Sequence, residues 1–299
     1  MSSTWSATRL AQVLATEKAR VDELLRAALP RVEDYPRAAD VARAMEHAVM
    51  AGGKRLRAIL IFAVAELLGA SEKRVKELAL AVEFIHTSSL VLDDLPAMDD
   101  ADLRRGQPTV HKVFGEATAI LCANALLMLA FELLARAELR PRDKDRLIEQ
   151  AARCVGLPGM IGGQAADLRL MTAGADLATV EYIHAHKTGV LFLYALGGAA
   201  RACGANDAQI AALESYARNL GLAFQITDDL LDRTGAVEEV GKTLHKDRDK
   251  TTFVDLGGVE EARRVVEELI ATAQASLALF DQRADALRAV ADFVRVRRY

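Results

Sequence analysis

Two segments rich in aspartate carry the residue types that bind divalent cations. The first, VLDDLPAMDDADLRR, covers residues 91–105 and places Asp93, Asp94 and Asp99 around a proline that ends a helical pattern. The second, QITDDLLD, covers residues 225–232 and places three more aspartates on one face of an otherwise apolar helix. These three are Asp228, Asp229 and Asp232. Crowded carboxylates beside apolar groups are costly unless a cation neutralises them, so both segments predict cation binding.

The ligand chemistry narrows the choice of cation and of partner. Carboxylate oxygens indicate a hard cation, and Mg²⁺ held jointly by a few carboxylates and substrate phosphates fits better than Ca²⁺ held by protein alone. Basic residues suited to phosphate lie in GGKRLR (Lys54, Arg57), RRG (Arg104, Arg105), HKTG (Lys187, Thr188) and GKTLHKDRDK (Lys242, Lys250). Together with the apolar neighbours, these groups predict a site for a diphosphate that carries an apolar tail.

Each feature also has an ordinary structural interpretation. A single DDxxD segment is more often a solvated helix end, and His86 alone would more often be a satisfied core histidine. However, His86, Ser89 and Asp93 form one stripe at i, i+3 and i+7, and both aspartate segments lie in helices whose apolar face is the wider one. This combination favours a functional site. Three other histidines are interpreted as surface or structural residues: His184, His186 and His245.

Length and composition exclude several function classes. The chain has 299 residues, 52% of them apolar, and a net charge of -4 without the basic field that nucleic acid requires. Its three cysteines lie far apart in apolar segments, which indicates free thiols in a reducing compartment. The N-terminus lacks a secretory pattern, and the longest uncharged segment, residues 117–131, is too short for a comfortable membrane span. We therefore expect a cytoplasmic protein with no membrane span and no nucleic-acid partner.

The elements that position these residues are predicted to be helices, because Ala and Leu dominate and no segment alternates in polarity as a strand does. The predicted helices cover roughly residues 7–29, 38–50, 54–69, 72–94, 108–137, 142–156, 179–203, 207–233 and 260–297. The glycine-rich segment at 156–174 lacks the lysine and spacing of a phosphate loop, so a nucleotide-binding fold is rejected. Gln164 and Asp167 are placed on a helix that these glycines allow to pack closely.

The chain shows no shift in composition that would mark a linker, so residues 1–299 are expected to form one domain. The two aspartate segments resemble each other, since each follows an apolar run and has a further aspartate beyond it. This internal similarity predicts two helix groups that face each other across one cavity.

Six segments carry a resemblance to a known family: GGKRLR, HTSSLVLDDLPAMDDADLRRGQPTVH, GGQAADL, HKTG, FQITDDLLD and GKTLHKDRDKTT. In this order they resemble a trans-polyprenyl diphosphate synthase, the family of farnesyl and geranylgeranyl diphosphate synthases. The resemblance implies an all-α fold, a single large helical bundle around a central cavity, usually assembled as a homodimer. It also implies three Mg²⁺ per active site and head-to-tail condensation of isopentenyl diphosphate with an allylic diphosphate.

The resemblance assigns roles position by position. The metal ligands are Asp93, Asp94, Asp99, Asp228, Asp229 and Asp232. The allylic diphosphate is held by Arg104, Lys187, Thr188, Gln225 and Lys242, and isopentenyl diphosphate by Lys54, Arg57, His86 and Arg105. The residues implied in catalysis are Asp93, Asp94, Arg104, Lys187 and Asp228. Ala58 departs from the family, in which many members carry proline, and is expected to alter a helix start without changing the chemistry.

The implied reaction begins when Mg²⁺ and arginine neutralise the leaving diphosphate, so that an allylic cation forms where water is excluded. Isopentenyl diphosphate then attacks, and the departing diphosphate takes the last proton because no His or Glu is clearly placed as a base. Ser88 and Ser89 lie five and four residues before Asp93, roughly 6 to 8 Å below the metal. Family members with a bulky aromatic residue there stop at fifteen carbons. Two serines and the inserted Pro96 and Ala97 predict a C20 product, with C15 as the alternative.

Two other function classes stay open. A class I terpene cyclase shares the DDxxD segment and the fold but should lack an isopentenyl diphosphate site, and the basic residues assigned to that site argue against it. A non-catalytic partner subunit would have lost metal-binding aspartates, whereas both aspartate segments are intact here.

Overall fold

The computed structural model describes residues 7–170, 176–234 and 251–296, and most of these residues lie in helices. The prediction of an all-α chain is confirmed. The helices are α1 (Ala7–Ala28), α2 (Ala39–Met50), α3 (Leu56–Leu67), α4 (Lys76–Asp93), α5 (Val110–Phe114), α6 (Glu116–Arg136), α7 (Pro141–Val155), α8 (Met160–Leu170), α9 (Leu177–Ile183), α10 (Val190–Ala202), α11 (Asp207–Thr234), α12 (Phe253–Ser276) and α13 (Asp285–Val296). Short 3₁₀ turns occur at Val32–Asp34, Glu72–Arg74 and Gln282–Ala284.

Local chemistry accounts for several helix starts. Helix α7 begins with Pro141, whose fixed φ suits the first helical position. Helix α9 is capped by Asp176, which accepts a hydrogen bond from the Thr179 backbone N–H. Helix α12 opens with a reciprocal capping box between Thr252 and Asp255, so its start is fixed by side chains close in sequence.

Three predicted segments differ from the observed elements. The segment predicted at 108–137 divides at Gly115, whose φ of 83° ends α5 before α6 begins. The segment predicted at 179–203 contains a π-helical turn, His184–Gly189, between α9 and α10. The segment predicted at 260–297 begins earlier, at Phe253, and is broken after Ser276.

One antiparallel hairpin was not predicted. Its two-residue strands, β1 (Leu103–Arg104) and β2 (Gln107–Pro108), pair Leu103 with Pro108 and Arg104 with Gln107. Arg105 and Gly106 make the turn with φ values of 55° and 77°. The hairpin sets Arg104 close to the end of α4, where the first aspartate segment lies.

Helix α4 is the central element that carries the first aspartate segment. It packs against α3, α6 and α10, and it is buried on nearly all sides along its length. Helix α11, which carries the second segment, packs against α10 and α12 and against the π-helical turn. Asp93, the last residue of α4, and the aspartates of the second segment therefore belong to helices that are anchored in the core, as the wide apolar faces of these helices predict.

Helix α6 has an apolar face that the rest of the described chain does not cover. Ile120, Leu121 and Met128 are 45%, 57% and 58% exposed. By length and composition alone, α6 is also the one described helix able to cross a membrane, and a third of its most apolar window is buried. The absence of a membrane span stays a prediction. The prediction of free thiols is confirmed for all three cysteines.

Candidate active site

The first aspartate segment folds back over the end of α4. The Asp99 backbone N–H donates to the Asp93 carbonyl oxygen at 2.8 Å, and the Ala101 N–H donates to the Asp94 carbonyl oxygen at 3.1 Å. These bonds turn the chain after Pro96 and keep the aspartate side chains together. Burial raises the pKa of Asp93; Lys187 acts against this effect, whereas Asp99 adds to it. The Asp93 carboxyl is thus harder to ionise than that of an exposed aspartate.

Arg104, at the start of the hairpin, is paired with Asp94. Its Nε donates to Asp94 Oδ1 at 3.0 Å, and one terminal nitrogen donates to the same oxygen. Burial raises the pKa of Asp94, which is 4% exposed, and the hydrogen bond from Arg104 offsets that rise only in part. The predicted phosphate ligand and a predicted metal ligand therefore already neutralise each other in this structure.

Lys187 links the first aspartate segment to α8. Its Nζ lies 2.7 Å from Asp167 Oδ2 and 3.8 Å from Asp93 Oδ2. The lysine belongs to the π-helical turn, a rare helical form that is frequent at functional sites. Helix α8 approaches this turn so closely that a Cβ at Gly163 would lie 2.4 Å from the Lys187 backbone nitrogen. The predicted close packing of this helix is thus confirmed at Gly163.

The second aspartate segment is ordered by a chain of hydrogen bonds. Thr188 Oγ1 donates to Gln225 Oε1 at 2.9 Å, and Gln225 Nε2 donates to Asp229 Oδ1 at 3.3 Å. The other carboxylate oxygen of Asp229 accepts from the Phe253 backbone N–H at 3.3 Å and lies 3.4 Å from His184 Nε2. The chain fixes the Asp229 carboxylate from both sides.

Burial disfavours the charged form of both the Asp229 and the His184 side chain. Burial raises the pKa of Asp229 to about 7, and the charges of Asp228 and Asp232 add to the rise. Burial lowers the pKa of His184 to about 4, although the charges of Asp167 and Asp228 act in the opposite direction. A cation bound among these carboxylates would favour their ionised forms.

A cluster of basic residues lies between α3, α4 and the hairpin. Arg57 is 8% exposed as a residue, and its guanidinium lies over the Phe192 ring, 4.4 Å from the ring centre. Its Nε is buried and has no hydrogen-bond partner in the described chain. Burial lowers the pKa of Arg105 to about 10, and the neighbouring Arg55 contributes to the decrease. Arg105 donates to the Gly52 carbonyl oxygen.

His86 lies within this basic cluster. Burial lowers its pKa well below the ordinary value, and the positive charges of Arg57, Arg105, Arg104 and Arg55 lower it further. His86 is therefore neutral at physiological pH and able to donate one hydrogen bond. Lys54 Nζ lies 5.9 Å from the centre of the Phe293 ring, next to the C-terminal helix α13.

The basic cluster and the second aspartate segment are neighbours. The charges that counteract the effect of burial on Arg57 come from Glu83 and Asp228. Asp228 also acts on His184, which in turn is influenced by Lys187 and Asp167. Asp228 of the second aspartate segment and Arg57 of the basic cluster are thus close enough for their charges to interact, and Lys187 links this neighbourhood to Asp93.

The match to known proteins now decides the family. Residues 39–285 match the family model described as polyprenyl synthetase. The chain belongs to the polyprenyl synthetase family. The family resemblance of the six segments is confirmed. The family model begins before the first of these segments and ends after the last one.

This chain aligns with curated relatives and with solved structures over most of their length and of its own. The chain is 41% identical to geranylgeranyl pyrophosphate synthase 4 of Arabidopsis thaliana, over 93% of this chain and 76% of the relative. It is 42% identical to a dimethylallyltranstransferase of Fischerella ambigua, over 96% and 84%. The apo structure of an FPP/GFPP synthase from Zymomonas mobilis superposes with a TM-score of 0.87 at 37% identity, covering 97% of this chain and all of the other.

Another similar solved structure is described with bound magnesium. A geranyltransferase from Helicobacter pylori, described as complexed with magnesium and isoprenyl diphosphate, superposes with a TM-score of 0.85 at 32% identity, covering 98% of this chain and 99% of the other. Among the described residues of the present chain, no group of three or more His, Cys, Asp or Glu is gathered closely enough to hold a metal by itself. The carboxylate oxygens nevertheless fit a hard cation whose remaining ligands come from a diphosphate. The raised pKa values of Asp93, Asp94 and Asp229 show that these buried carboxylates lack enough positive charge around them.

Three residues of this polyprenyl synthetase lie in or beside the site without having been predicted as site residues. Asp167 was placed only on a packed helix, yet it holds Lys187. His184 was interpreted as surface or structural; it is 8% exposed, so the surface interpretation is wrong. Glu83 stands three residues before His86, a helical spacing that would have marked it as a neighbour. Lys242, Lys250 and His245 lie outside the described residues.

Proposed function

We propose that this polyprenyl synthetase condenses isopentenyl diphosphate head-to-tail with allylic diphosphates and that its main product has twenty carbons. The observation that carries the proposal is the position of Lys187, which contacts Asp93 and Asp167 beside the ordered Gln225 and Asp229. These contacts support one anion-binding region that both aspartate segments border. Relatives named geranylgeranyl pyrophosphate synthases at 41% and 43% identity support the reaction class.

The residues divide between two diphosphates. Arg104, Lys187, Thr188, Gln225 and Lys242 would bind the allylic diphosphate, while Lys54, Arg57, His86 and Arg105 would bind isopentenyl diphosphate. The six aspartates would hold three Mg²⁺: Asp93, Asp94, Asp99, Asp228, Asp229 and Asp232. Bound magnesium would supply Lewis-acid neutralisation of the leaving diphosphate. The protein's own residues orient the substrates, and the buried surroundings exclude water.

The neutral state of His86 bears on the final proton transfer. A histidine whose pKa is lowered by burial and by four arginines is a weak base, so it suits hydrogen bonding to a diphosphate better than proton abstraction. This supports the departing diphosphate as the proton acceptor. Thr188, whose hydroxyl is fixed by Gln225, lies close to the developing positive charge in this assignment.

The product length rests on the two serines below Asp93. Ser88 is 4% exposed and donates through Oγ to the Ala123 carbonyl oxygen of α6 at 2.8 Å, so a small side chain stands where α4 meets α6. Ser89 is half-buried and donates to the His86 carbonyl oxygen. Neither residue presents bulk to a growing chain, which supports C20. The alternative is a C15 product, because the similar structure from Zymomonas mobilis is that of an FPP/GFPP synthase.

A homodimer is the second part of the proposal. The uncovered face of α6 repeats at i, i+4 and i+8 through Ile120, Asn124 and Met128, beside Leu121, and Val113 of α5 extends it at 48% exposure. A second copy of this chain would bury this apolar surface, which fits a cytoplasmic protein better than insertion into a membrane.

Contacts between α1 and α13 support residues 1–299 as one domain.

The product experiment uses purified full-length protein. It is incubated with Mg²⁺, isopentenyl diphosphate and one allylic starter of five, ten or fifteen carbons, and the dephosphorylated alcohols are sized. A C20 alcohol from every starter is expected. A C15 end product would overturn the length assignment, and a hydrocarbon formed without isopentenyl diphosphate would identify a terpene cyclase.

The dimer experiment replaces one exposed leucine on α6. Leu121→Lys should convert a dimer to a monomer in light scattering, because a charge would be buried in the interface. The matched control is Leu279→Lys, since Leu279 is 52% exposed just after the end of α12, away from α6. A monomeric wild-type protein, or an unchanged mass in Leu121→Lys, would contradict the assignment of this face.

A further inference from the structure

Glu83 is a buried carboxylate to which the proposed reaction gives no part. It lies on α4, three residues before His86, and is 3% exposed. Burying a carboxylate is costly unless hydrogen bonds and opposite charges compensate. The groups around Glu83 therefore indicate which part of the structure this buried carboxylate stabilises.

The Glu83 carboxylate caps the N-terminus of the neighbouring helix α3. Glu83 Oε1 accepts a hydrogen bond from the backbone N–H of Ala58 at 3.3 Å. Ala58 is in the first turn of α3, where backbone N–H groups have no partner within the helix and where negative charge is favoured. The residue that precedes α3, Arg55, has a left-handed φ of 52° and supplies no side-chain cap. A carboxylate from α4 thus takes the capping role.

The same carboxylate stands among arginines. Glu83 Oε2 lies 3.6 Å from the Arg55 guanidinium, which also pairs with Asp22 at 2.7 Å. Arg57 lies between Arg55 and Ala58 in sequence and is buried; burial lowers its pKa, and Glu83 is the strongest of the charges that oppose this effect. Glu83 has the same opposing influence on Arg105. Glu83 is therefore a negative charge that Arg55, Arg57 and Arg105 share, and it reduces the repulsion among their guanidinium groups.

We propose that Glu83 is a positioning residue for the isopentenyl diphosphate site. It fixes the first turn of α3 and thereby presents Arg57 to the diphosphate, without itself touching a substrate. This inference rests on the proposed function, because it assigns Arg57 to isopentenyl diphosphate. It predicts an effect that is selective for one of the two substrates, which a general loss of folding would not produce.

The main variant is Glu83→Gln, which keeps the size of the side chain and a carbonyl oxygen for the Ala58 N–H but removes the charge. The KM for isopentenyl diphosphate should rise roughly tenfold, the factor expected from loss of one charge-assisted interaction. The KM for the allylic diphosphate should stay within about twofold of wild type. If Glu83→Gln does not fold, Glu83→Asp keeps the charge but withdraws it from the Ala58 N–H and should shift the same constant in the same direction.

A double variant tests whether Glu83 acts through Arg57. Glu83→Gln combined with Arg57→Ala should show the same KM for isopentenyl diphosphate as Arg57→Ala alone, because the positioned group is already gone. The matched control is Asp22→Asn, which removes the other carboxylate of Arg55 and should lower stability without separating the two KM values.

Three outcomes would overturn the inference. The first is an unchanged or lower KM for isopentenyl diphosphate in Glu83→Gln, as a simple gain of positive potential would produce. The second is a joint rise of both KM values, and the third is multiplication of the effects of Glu83→Gln and Arg57→Ala in the double variant. Failure of the wild-type protein to condense the two substrates would instead overturn the proposed function, so the two failures are distinguishable.

Discussion

The hydrogen-bond chain from Thr188 to Asp229 offers a sharp test of the allylic diphosphate site. Thr188→Val removes one hydroxyl and replaces it with a methyl group of similar size. Gln225 Oε1 then loses its donor at 2.9 Å, so the amide is no longer held in the orientation in which its Nε2 donates to Asp229. The orientation of the second aspartate segment is therefore weakened without a change in charge.

The expected size follows from the bond that is lost. A neutral hydrogen bond whose acceptor stays behind is worth about 1.4 kcal/mol, or roughly tenfold in a binding or rate ratio. The value of kcat/KM for the allylic diphosphate should fall by about that factor, while the KM for isopentenyl diphosphate should change by less than about twofold. Initial rates with one substrate saturating and the other varied would separate the two constants.

Two further variants complete this test. Thr188→Ser keeps the hydroxyl and should restore most of the activity. Thr227→Val is the matched control, because the Thr227 hydroxyl on α11 donates to the Ala223 carbonyl oxygen of its own helix. Equal losses in Thr188→Val and Thr227→Val, or full activity in Thr188→Val, would refute the role of the chain in substrate binding.

Three other perturbations address the metal site, the product and stability. Asp93→Ala or Asp228→Ala should abolish condensation with the circular dichroism spectrum retained, because removing a carboxylate from a like-charged cluster relieves repulsion. Ser88→Tyr should shorten the product, measured as the dephosphorylated alcohol. Asp22→Asn should lower the free energy of unfolding at pH 7 by about 1.5 kcal/mol, the low end for a charged hydrogen bond, because Asp22 is only partly buried. Urea unfolding would measure this difference.

The effect of Asp22→Asn should depend on pH in one direction. Burial tends to raise the pKa of Asp22, but hydrogen bonds from Lys18 and Arg55 hold it below 3.8. Since the folded-state pKa is below the unfolded value, the stabilisation is fully present above the unfolded value and is lost as the pH falls through the folded one. The difference between wild type and Asp22→Asn should therefore shrink below about pH 4; a difference that grows there would contradict the assignment.

The metal-site variants and the Ser88 variant also have results that would contradict their predictions. Full activity in Asp93→Ala or Asp228→Ala would remove those residues from the metal site. An unchanged alcohol length in Ser88→Tyr would place the floor of the product pocket elsewhere. Ser88 is packed against α6, so tyrosine could disturb the fold there. The Ser88→Tyr protein should therefore show an unchanged unfolding midpoint before its product is interpreted.

Helix positions were accessible from the sequence, whereas their interruptions were not. Apolar periodicity predicted the extent of α1, α2, α7 and α11 within two residues or so, because each presents a regular pattern to the core. Gly115 and the π-helical turn at His184–Gly189 break such patterns through backbone geometry, which periodicity alone does not encode. His184 lies in this turn and is buried, so only the surface half of its interpretation is wrong.

The residue types of the candidate site were also accessible, but their partners were not. Paired aspartates in reversed-polarity helices indicated a cation, and basic segments indicated phosphate. The contact of Lys187 with Asp167 and the hydrogen bond from Ala58 to Glu83 join residues on different helices. Such contacts depend on how α8 and α4 pack, and a single sequence does not state that packing. Ala58 was expected only to alter a helix start, yet its N–H joins that start to α4.

The pairing of Arg104 with Asp94 has a thermodynamic consequence for ligand entry. If Arg104 turned toward a diphosphate, the buried Asp94 carboxylate would lose its partner, which is costly unless another cation replaces Arg104 there. On the proposed assignment, diphosphate and magnesium are therefore expected to bind with positive cooperativity, each raising the affinity for the other by the same factor. The resting ion pair would act as a competitor that either ligand alone displaces poorly.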